Sequence, residues 1–179
     1  MTKTAELYGG SLYDLAVEEN AAAAMMEELD GIRKIFKENP DYVRLLSEPS
    51  IPKAERLSLI DQAFDGQVHP YVNNFMKVLC KEGLIRELYG CIAQFRSRFY
   101  KDQNIAEATV TSAVPLSEKQ ISALQAKLEK LSGKTILLQQ KVDAGVIGGL
   151  RVEVDGKQFD GTVENRISTV RRKVTEIIL

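Results

Sequence analysis

The apolar residues of this chain change their period near Asn104, and that change constrains the fold more than any other feature. Before it, apolar positions recur at intervals of three and four, the spacing of one helix face. Tyr8, Leu12 and Leu15 mark a first stripe; Met25, Leu29, Ile32 and Phe36 mark a second, after an alanine run that favours helix. Asn39-Pro40 ends that helix, a short element follows around Tyr42 to Leu46, and Pro49 and Pro52 forbid its continuation. Leu57, Ile60 and Phe64 predict a fourth helix stopping at Asp65-Gly66. Pro70 suits the first turn of a fifth, whose face is Val72, Phe75, Met76, Leu79 and Cys80 and whose end is Gly83. Ile85, Leu88, Ile92, Phe95 and Phe99 complete a sixth. Residues 1–104 therefore read as an all-α six-helix bundle.

Beyond Asn104 the chain alternates with period two. Ala106, Ala108, Val110 and Val114 interleave with Glu107, Thr109 and Thr111 until Pro115 ends the strand. Ser117-Glu118-Lys119-Gln120 is a capping box opening a helix with Ile121, Leu124, Leu128 and Leu131 on one face, closed by Gly133. Ile136, Leu138 and Val142 suggest another strand. Leu150, Val152 and Val154 alternate with Arg151, Glu153 and Asp155, and Asp155-Gly156 fits a two-residue hairpin turn. After Asp160-Gly161 the period returns to helix with Val163, Ile167, Val170, Val174 and Ile177. Residues 105–179 thus read as a small α+β domain, two helices against a short sheet, and the whole chain as α+β.

The residues supply no catalytic constellation. His69 precedes a helix-opening proline, with no second ligand at metal spacing, and reads as a polar residue of the helix start. Cys80 and Cys91 are too few for a disulfide scaffold and lie on apolar helix faces, as packing thiols do. Gly145, Gly148 and Gly149 lead into a strand, whereas a phosphate-binding loop opens a helix. Charge is balanced, 24 basic against 25 acidic residues, so no global field draws nucleic acid or an anionic membrane. The one basic cluster, Arg166, Arg171, Arg172 and Lys173, has no aromatic stacking platform; it reads as dipole compensation on the last helix or as a docking surface for an acidic helix. No apolar run is long enough to span a bilayer, and the N-terminus has no secretory or organelle-targeting pattern, so a cytosolic chain without cofactor or metal is expected. An interaction protein follows, with a groove between the first and fifth helices as the candidate grip. Ala5, Gly9, Gly10, Ser11 and Ala16 would let another backbone approach closely, with Tyr8, Leu12, Phe75, Met76 and Leu79 as apolar walls; the equal alternative is that these residues are simply bundle core.

The order of these motifs resembles one family. Gly148 to Val152, Asp155-Gly156, Asp160-Gly161 and Arg166-Ile167 are similar to the C-terminal signature of the delta subunit of rotary F-type ATP synthases, the oligomycin-sensitivity-conferring protein of mitochondria. Ala5, Tyr8, Leu12 and Ala16 resemble the family's opening helix, and Asn74-Phe75-Met76 with Gly83 its fifth. Departures are Gly9, Gly10 and Ser11, where alanines are usual, and Leu84, where arginine is common. The resemblance implies a non-catalytic stator subunit of the peripheral stalk, without a cofactor, holding the head against rotor torque during ion-gradient-driven ATP synthesis. It implies a groove for the alpha subunit's N-terminal helix at Tyr8, Ser11, Leu12, Asn74, Phe75 and Val78. It also implies a contact with the stalk's b subunits at Gly148, Gly149, Arg151, Asp160 and Arg166. The subunit would be one copy in a hetero-oligomeric complex, peripheral on the cytoplasmic face of a bacterial membrane, inserting no segment and binding no nucleic acid. The alternative is a generic helical adaptor for another amphipathic helix. A small enzyme would need a perturbed ionisable pair, which no spacing here provides.

Overall fold

A computed structural model describes residues 2–146, 148–154 and 156–161. The chain divides into two compact units, Met1–Asp102 and Gln103–Leu179, and its class is α+β.

The first unit is helical: α1 Lys3–Glu18, α2 Ala22–Glu38, α3 Pro40–Leu46, α4 Lys53–Phe64, α5 Pro70–Lys81, a 3-10 turn Ile85–Glu87, and α6 Leu88–Asp102. Its boundaries follow from local chemistry. Thr2 caps α1 through its hydroxyl, which accepts from the Ala5 amide at 3.2 Å. Asn39 ends α2 and Pro40 opens α3. Gly66 and Gly83, at φ 72° and 74°, take the left-handed conformation just past α4 and α5. One core unites these helices, with Phe36, Phe95, Met25, Leu29, Ile32 and Met76 among its largest fully buried side chains.

The small residues of α1 lie in the bundle core. Ala5, Gly9, Gly10 and Ala16 are buried inside the unit, and α1 lies along α6. A Cβ at Gly9 would stand 2.3 Å from the Cys91 carbonyl oxygen, and one at Gly90 would stand 2.9 Å from the Ala5 Cβ. The backbone that approaches α1 closely is therefore the chain's own. Glycine at 9 sacrifices helix propensity to let two helices touch, and of the two readings of Ala5, Gly9, Gly10 and Ala16, a partner's seat or bundle core, the structure gives bundle core. Arg98 fastens the same seam, its Nη1 donating to the Gly10 carbonyl at 3.3 Å and to Asp14 Oδ1 at 2.7 Å. Tyr13 donates its hydroxyl proton to Asp102 Oδ2 at 2.8 Å.

Arg56 was not singled out by the sequence. It is buried, donating Nε to the Ile51 carbonyl at 3.1 Å and Nη1 to the Leu46 carbonyl at 3.2 Å. The guanidinium thereby satisfies the Leu46 carbonyl at the end of α3 and the Ile51 carbonyl between α3 and α4.

The second unit contains β1 Ile105–Ser112, α7 Glu118–Ser132, β2 Thr135–Val142, β3 Leu150–Val154 and β4 Lys157–Asp160. The sheet order is β2-β1-β3-β4. β1 and β2 are parallel, with Ala106 opposite Ile136, and α7 is the crossover that parallel pairing requires. β3 pairs antiparallel with β1 and with β4, placing Val152 opposite Val110 on one side and Phe159 on the other. Alternation puts Ala106, Ala108 and Ile136 into the small core, against Leu128 of α7. The capping box forms, with the Ser117 hydroxyl accepting from the Gln120 amide and Gln120 Oε1 accepting from the Ser117 amide at 2.9 Å. Gly133, at φ 69°, closes α7. Asp155 and the expected last helix, with Val163, Arg166, Ile167, Val170, Arg171, Arg172, Lys173, Val174 and Ile177, lie outside the described residues.

Candidate functional site

The expected groove residues fall on two neighbouring helix faces. On α1, the face carrying Tyr8, Ser11 and Leu15 is separate from the core stripe of Ala5, Gly9, Leu12 and Ala16. On α5, Tyr71, Asn74 and Val78 share the outer face, with Phe75 at its inner edge. The two helices pack together. Tyr71 at the start of α5 donates its hydroxyl proton to Glu19 Oε1 just past the end of α1, at 3.1 Å. That carboxylate also holds the Tyr71 phenol above its usual range.

Exposure separates the residues that can touch a partner from those that shape the surface from behind. Leu15, Tyr71 and Val78 are exposed at 41%, 37% and 36%. Ser11 and Asn74 are also exposed and Tyr8 is half-buried. Leu12 at 3% and Phe75 at 8% belong to the core, so their side chains position the helices and offer little area to a partner. Met76 and Leu79, read as walls, are fully buried. Leu15 and Tyr71 were absent from the expected groove. Leu15 follows Tyr8 and Ser11 by seven and four positions and so shares their face, apart from the inward Leu12.

The surroundings hold α5 rigidly. His69 caps it, its Nδ1 accepting from the Tyr71 amide at 3.3 Å, while its own amide donates to Glu28 Oε2 of α2 at 2.8 Å. Asp61 of α4 is paired with Lys77 and accepts from Asn73 Nδ2 at 3.0 Å. Lys77 beside it holds the Asp61 carboxyl below its usual range. What results is a mixed surface of apolar side chains, the hydroxyls of Tyr8, Ser11 and Tyr71, and the Asn74 amide. It carries no nucleophile with a base.

Chemistry is equally absent from the cysteines and the histidine. Cys80 and Cys91 are free and buried. Burial pushes the Cys91 thiol up to about 11, so it stays protonated and inert. No cluster of metal-ligating side chains occurs among the described residues, and none of their helices is long and apolar enough to cross a membrane.

Of the residues expected to meet the stalk, Gly148 is half-buried and Gly149, at φ 87°, turns the chain into β3. Arg151 donates Nε to Asp160 Oδ2 at 3.3 Å across the β3–β4 pair. Both lie on the sheet face opposite Val152 and Phe159, by strand alternation. Arg166 lies outside the described residues.

Comparison with known proteins gives one consistent result. The sequence profile described as "ATP synthase delta (OSCP) subunit" matches residues 4–174. "ATP synthase subunit delta" of Alkaliphilus oremlandii is 32% identical over 172 residues, covering 96% of both chains. The protein of the same name from Lactiplantibacillus plantarum is 32% identical over 169 residues, covering 94% of this chain and 93% of its own. Among solved structures, a chain of the Toxoplasma gondii mitochondrial ATP synthase hexamer superposes with a TM-score of 0.75 at 16% identity, covering 97% of this chain and 98% of its own. At that identity the likeness speaks to the fold alone.

Proposed function

From the premise that this chain belongs to the ATP synthase delta (OSCP) subunit family, we propose that its helical unit grips the N-terminal helix of the alpha subunit in the α1–α5 groove. Family members are components of the peripheral stalk and are not themselves catalytic, and the generic adaptor is not favoured. The alpha groove, the b-subunit contact and the cytoplasmic membrane face go further and are our reading.

One observation carries the groove: exposed apolar side chains on two packed helices, Leu15 on α1 with Tyr71 and Val78 on α5, share their helix faces with the exposed polar residues Ser11 and Asn74. An amphipathic helix presenting apolar residues at i, i+3, i+4 and i+7 complements such a strip. Leu12 and Phe75 back it from the core, so the six-helix bundle presents a preformed surface and little ordering is needed on binding. A stator joint must also let go slowly, and apolar burial slows dissociation more than rim charges do.

The second unit, in this reading, meets the ends of the b subunits through the stretch from Gly148 to Asp160 and the segment containing Arg166. The Arg151–Asp160 pair stiffens the hairpin there. The subunit then holds the catalytic head against the turning rotor, as a single copy in a hetero-oligomer, peripheral to the membrane.

The test is recovery of the chain with its partners from cells carrying a tagged copy. The wild type should bring down alpha and b together. Val78→Asp should lose alpha and keep b, because a carboxylate would be buried against the apolar side of the docked helix. Retention of alpha by a folded Val78→Asp protein would place the alpha contact elsewhere.

A further inference from the structure

The two helices that frame the α1–α5 groove run in opposite directions. Tyr71, at the start of α5, bonds Glu19 just past the end of α1. Glu87, in the turn that follows α5, accepts from the hydroxyl of Thr2, which caps the start of α1, at 2.6 Å. The groove therefore has one end at Glu18, Glu19 and Tyr71 and the other at Tyr8, Val78 and Lys81, and the two ends differ in charge. Lys81 is followed by Glu82, so their charges cancel. Glu18 and Glu19 are both exposed, and neither has a cation paired with it among the described residues. Glu18 follows Leu15 by three positions and so continues the groove face of α1. The Tyr71 phenol, held above its usual range by its hydrogen bond to Glu19, also feels the Glu18 charge.

Helix chemistry gives no reason for carboxylates there. The C-terminal end of a helix is the negative end of its dipole and favours cations. Lys37, Arg44, Lys81, Lys101 and Lys130 stand in the last turns of α2, α3, α5, α6 and α7. The last turn of α1 holds Glu18 and no cation. Its charge costs the helix stability and is left open to a partner.

We infer that the groove accepts its amphipathic helix in one direction only, with a lysine or arginine of that helix set over Glu18 and Glu19. This rests on the groove being the alpha subunit's seat, and adds the charge and the direction of the occupant. The step from Leu15 to Glu18 is about 4.5 Å of helix, so the cation stands one turn outside the occupant's apolar strip, three or four positions beyond the last of its i to i+7 anchors. A helix docked the other way round would leave its cation over the neutral end and both carboxylates without a counter-charge. An exposed pair of this kind adds little to affinity. Its effect falls on encounter: opposite charges at the rim speed association and set the register, while the apolar strip governs release.

The experiment is stopped-flow kinetics of the full chain with a synthetic peptide from the N-terminus of the same organism's alpha subunit, at about 50 mM and about 300 mM salt. Glu18 is exposed and lysine suits a last turn, so Glu18→Lys keeps the fold. It should slow association about fivefold at the lower salt, leave dissociation within about twofold, and lose most of the difference at the higher salt. Glu38→Lys makes the same charge change at the other end of α2, about 24 Å along that helix from Ala22, and should slow association less than about twofold. Among single Lys→Glu and Arg→Glu changes in the peptide, one should slow association with the wild-type chain and recover it with Glu18→Lys. Val78→Asp should instead speed dissociation. A peptide that does not bind, or whose dissociation Val78→Asp leaves unchanged, would refute the groove and the direction together. If Val78→Asp speeds dissociation while Glu18→Lys associates no more slowly than Glu38→Lys, or if no charge reversal in the peptide is recovered, the groove stands and the direction is overturned.

Discussion

Replacing glycine by alanine should have opposite effects in two helices of the same unit. At Gly9 the new Cβ would lie 2.3 Å from the Cys91 carbonyl oxygen, a separation that real Cβ atoms do not show. The obstacle is backbone, so no rotamer change relieves it, and α1 and α6 must part by roughly 1 Å to reach an ordinary contact distance near 3.5 Å. That displacement loosens a seam that also holds Ala5 against Gly90. Overpacking of this kind costs about 1–3 kcal/mol, with the upper end applying where backbone is struck; alanine's helix propensity returns about 1 kcal/mol. A net loss of about 2 kcal/mol follows, or a fall of roughly 8–16 °C in the unit's Tm. Gly31 in α2 has nothing within 4 Å of its would-be Cβ, so Gly31→Ala should stabilise by about 0.5–1 kcal/mol. All six tyrosines, at 8, 13, 42, 71, 89 and 100, lie in the helical unit. Tyrosine fluorescence during thermal and urea unfolding therefore reports that unit without interference from the other. A Gly9→Ala protein as stable as its parent would refute the close α1–α6 contact.

Further outcomes follow from single side chains. Arg56→Ala strands the Ile51 carbonyl, leaves the Leu46 carbonyl with the weak Cys80 thiol donor, and should destabilise the helical unit by about 2 kcal/mol, measured by urea unfolding. Ser117→Ala removes the α7 cap and should weaken the helix start by about 1 kcal/mol; hydrogen exchange should show the Gln120 amide opening about five times more readily. Burial, and then its hydrogen bond to Asp102, push the Tyr13 phenol up to about 12. In the unfolded chain it titrates near 10, so its contribution is intact below pH 10 and disappears as pH rises toward 12. Absorbance titration at alkaline pH should show a late-titrating tyrosine that is lost in Tyr13→Phe, and stability should fall less steeply over that interval in the variant.

Much of the fold was legible because local chemistry and tertiary packing agree. Pro70, Gly83, the Ser117–Gln120 box and Gly133 act at the boundaries where their backbone preferences place them. The switch of period near Asn104 falls two residues from the division between units, because helix and strand bury side chains with different repeats. Less was legible where one residue type serves two ends. Gly9 and Ala5 permit close approach, but periodicity does not say whose backbone approaches, and α6 proved to be the answer. Leu12 and Leu15 are the same residue type three positions apart, yet one is core and the other surface. Their assignment depends on where α6 lies, and that contact joins residues some eighty positions apart. Arg56 was invisible for a related reason: its partners are carbonyls, which carry no signature in a sequence. The parallel β1–β2 pair, with β2 at the sheet edge, likewise comes from long-range pairing.

Calorimetric titration of a synthetic peptide from the N-terminus of the same organism's alpha subunit tests the central claim most directly. One-to-one binding is expected, weakened at least tenfold by Leu15→Asp or Val78→Asp on the exposed faces. Val17→Asp, exposed on the side of α1 away from Tyr8, Ser11 and Leu15, should leave it unchanged. Equal weakening by all three variants, or no binding to the folded wild-type chain, would contradict a joint built on the α1–α5 face.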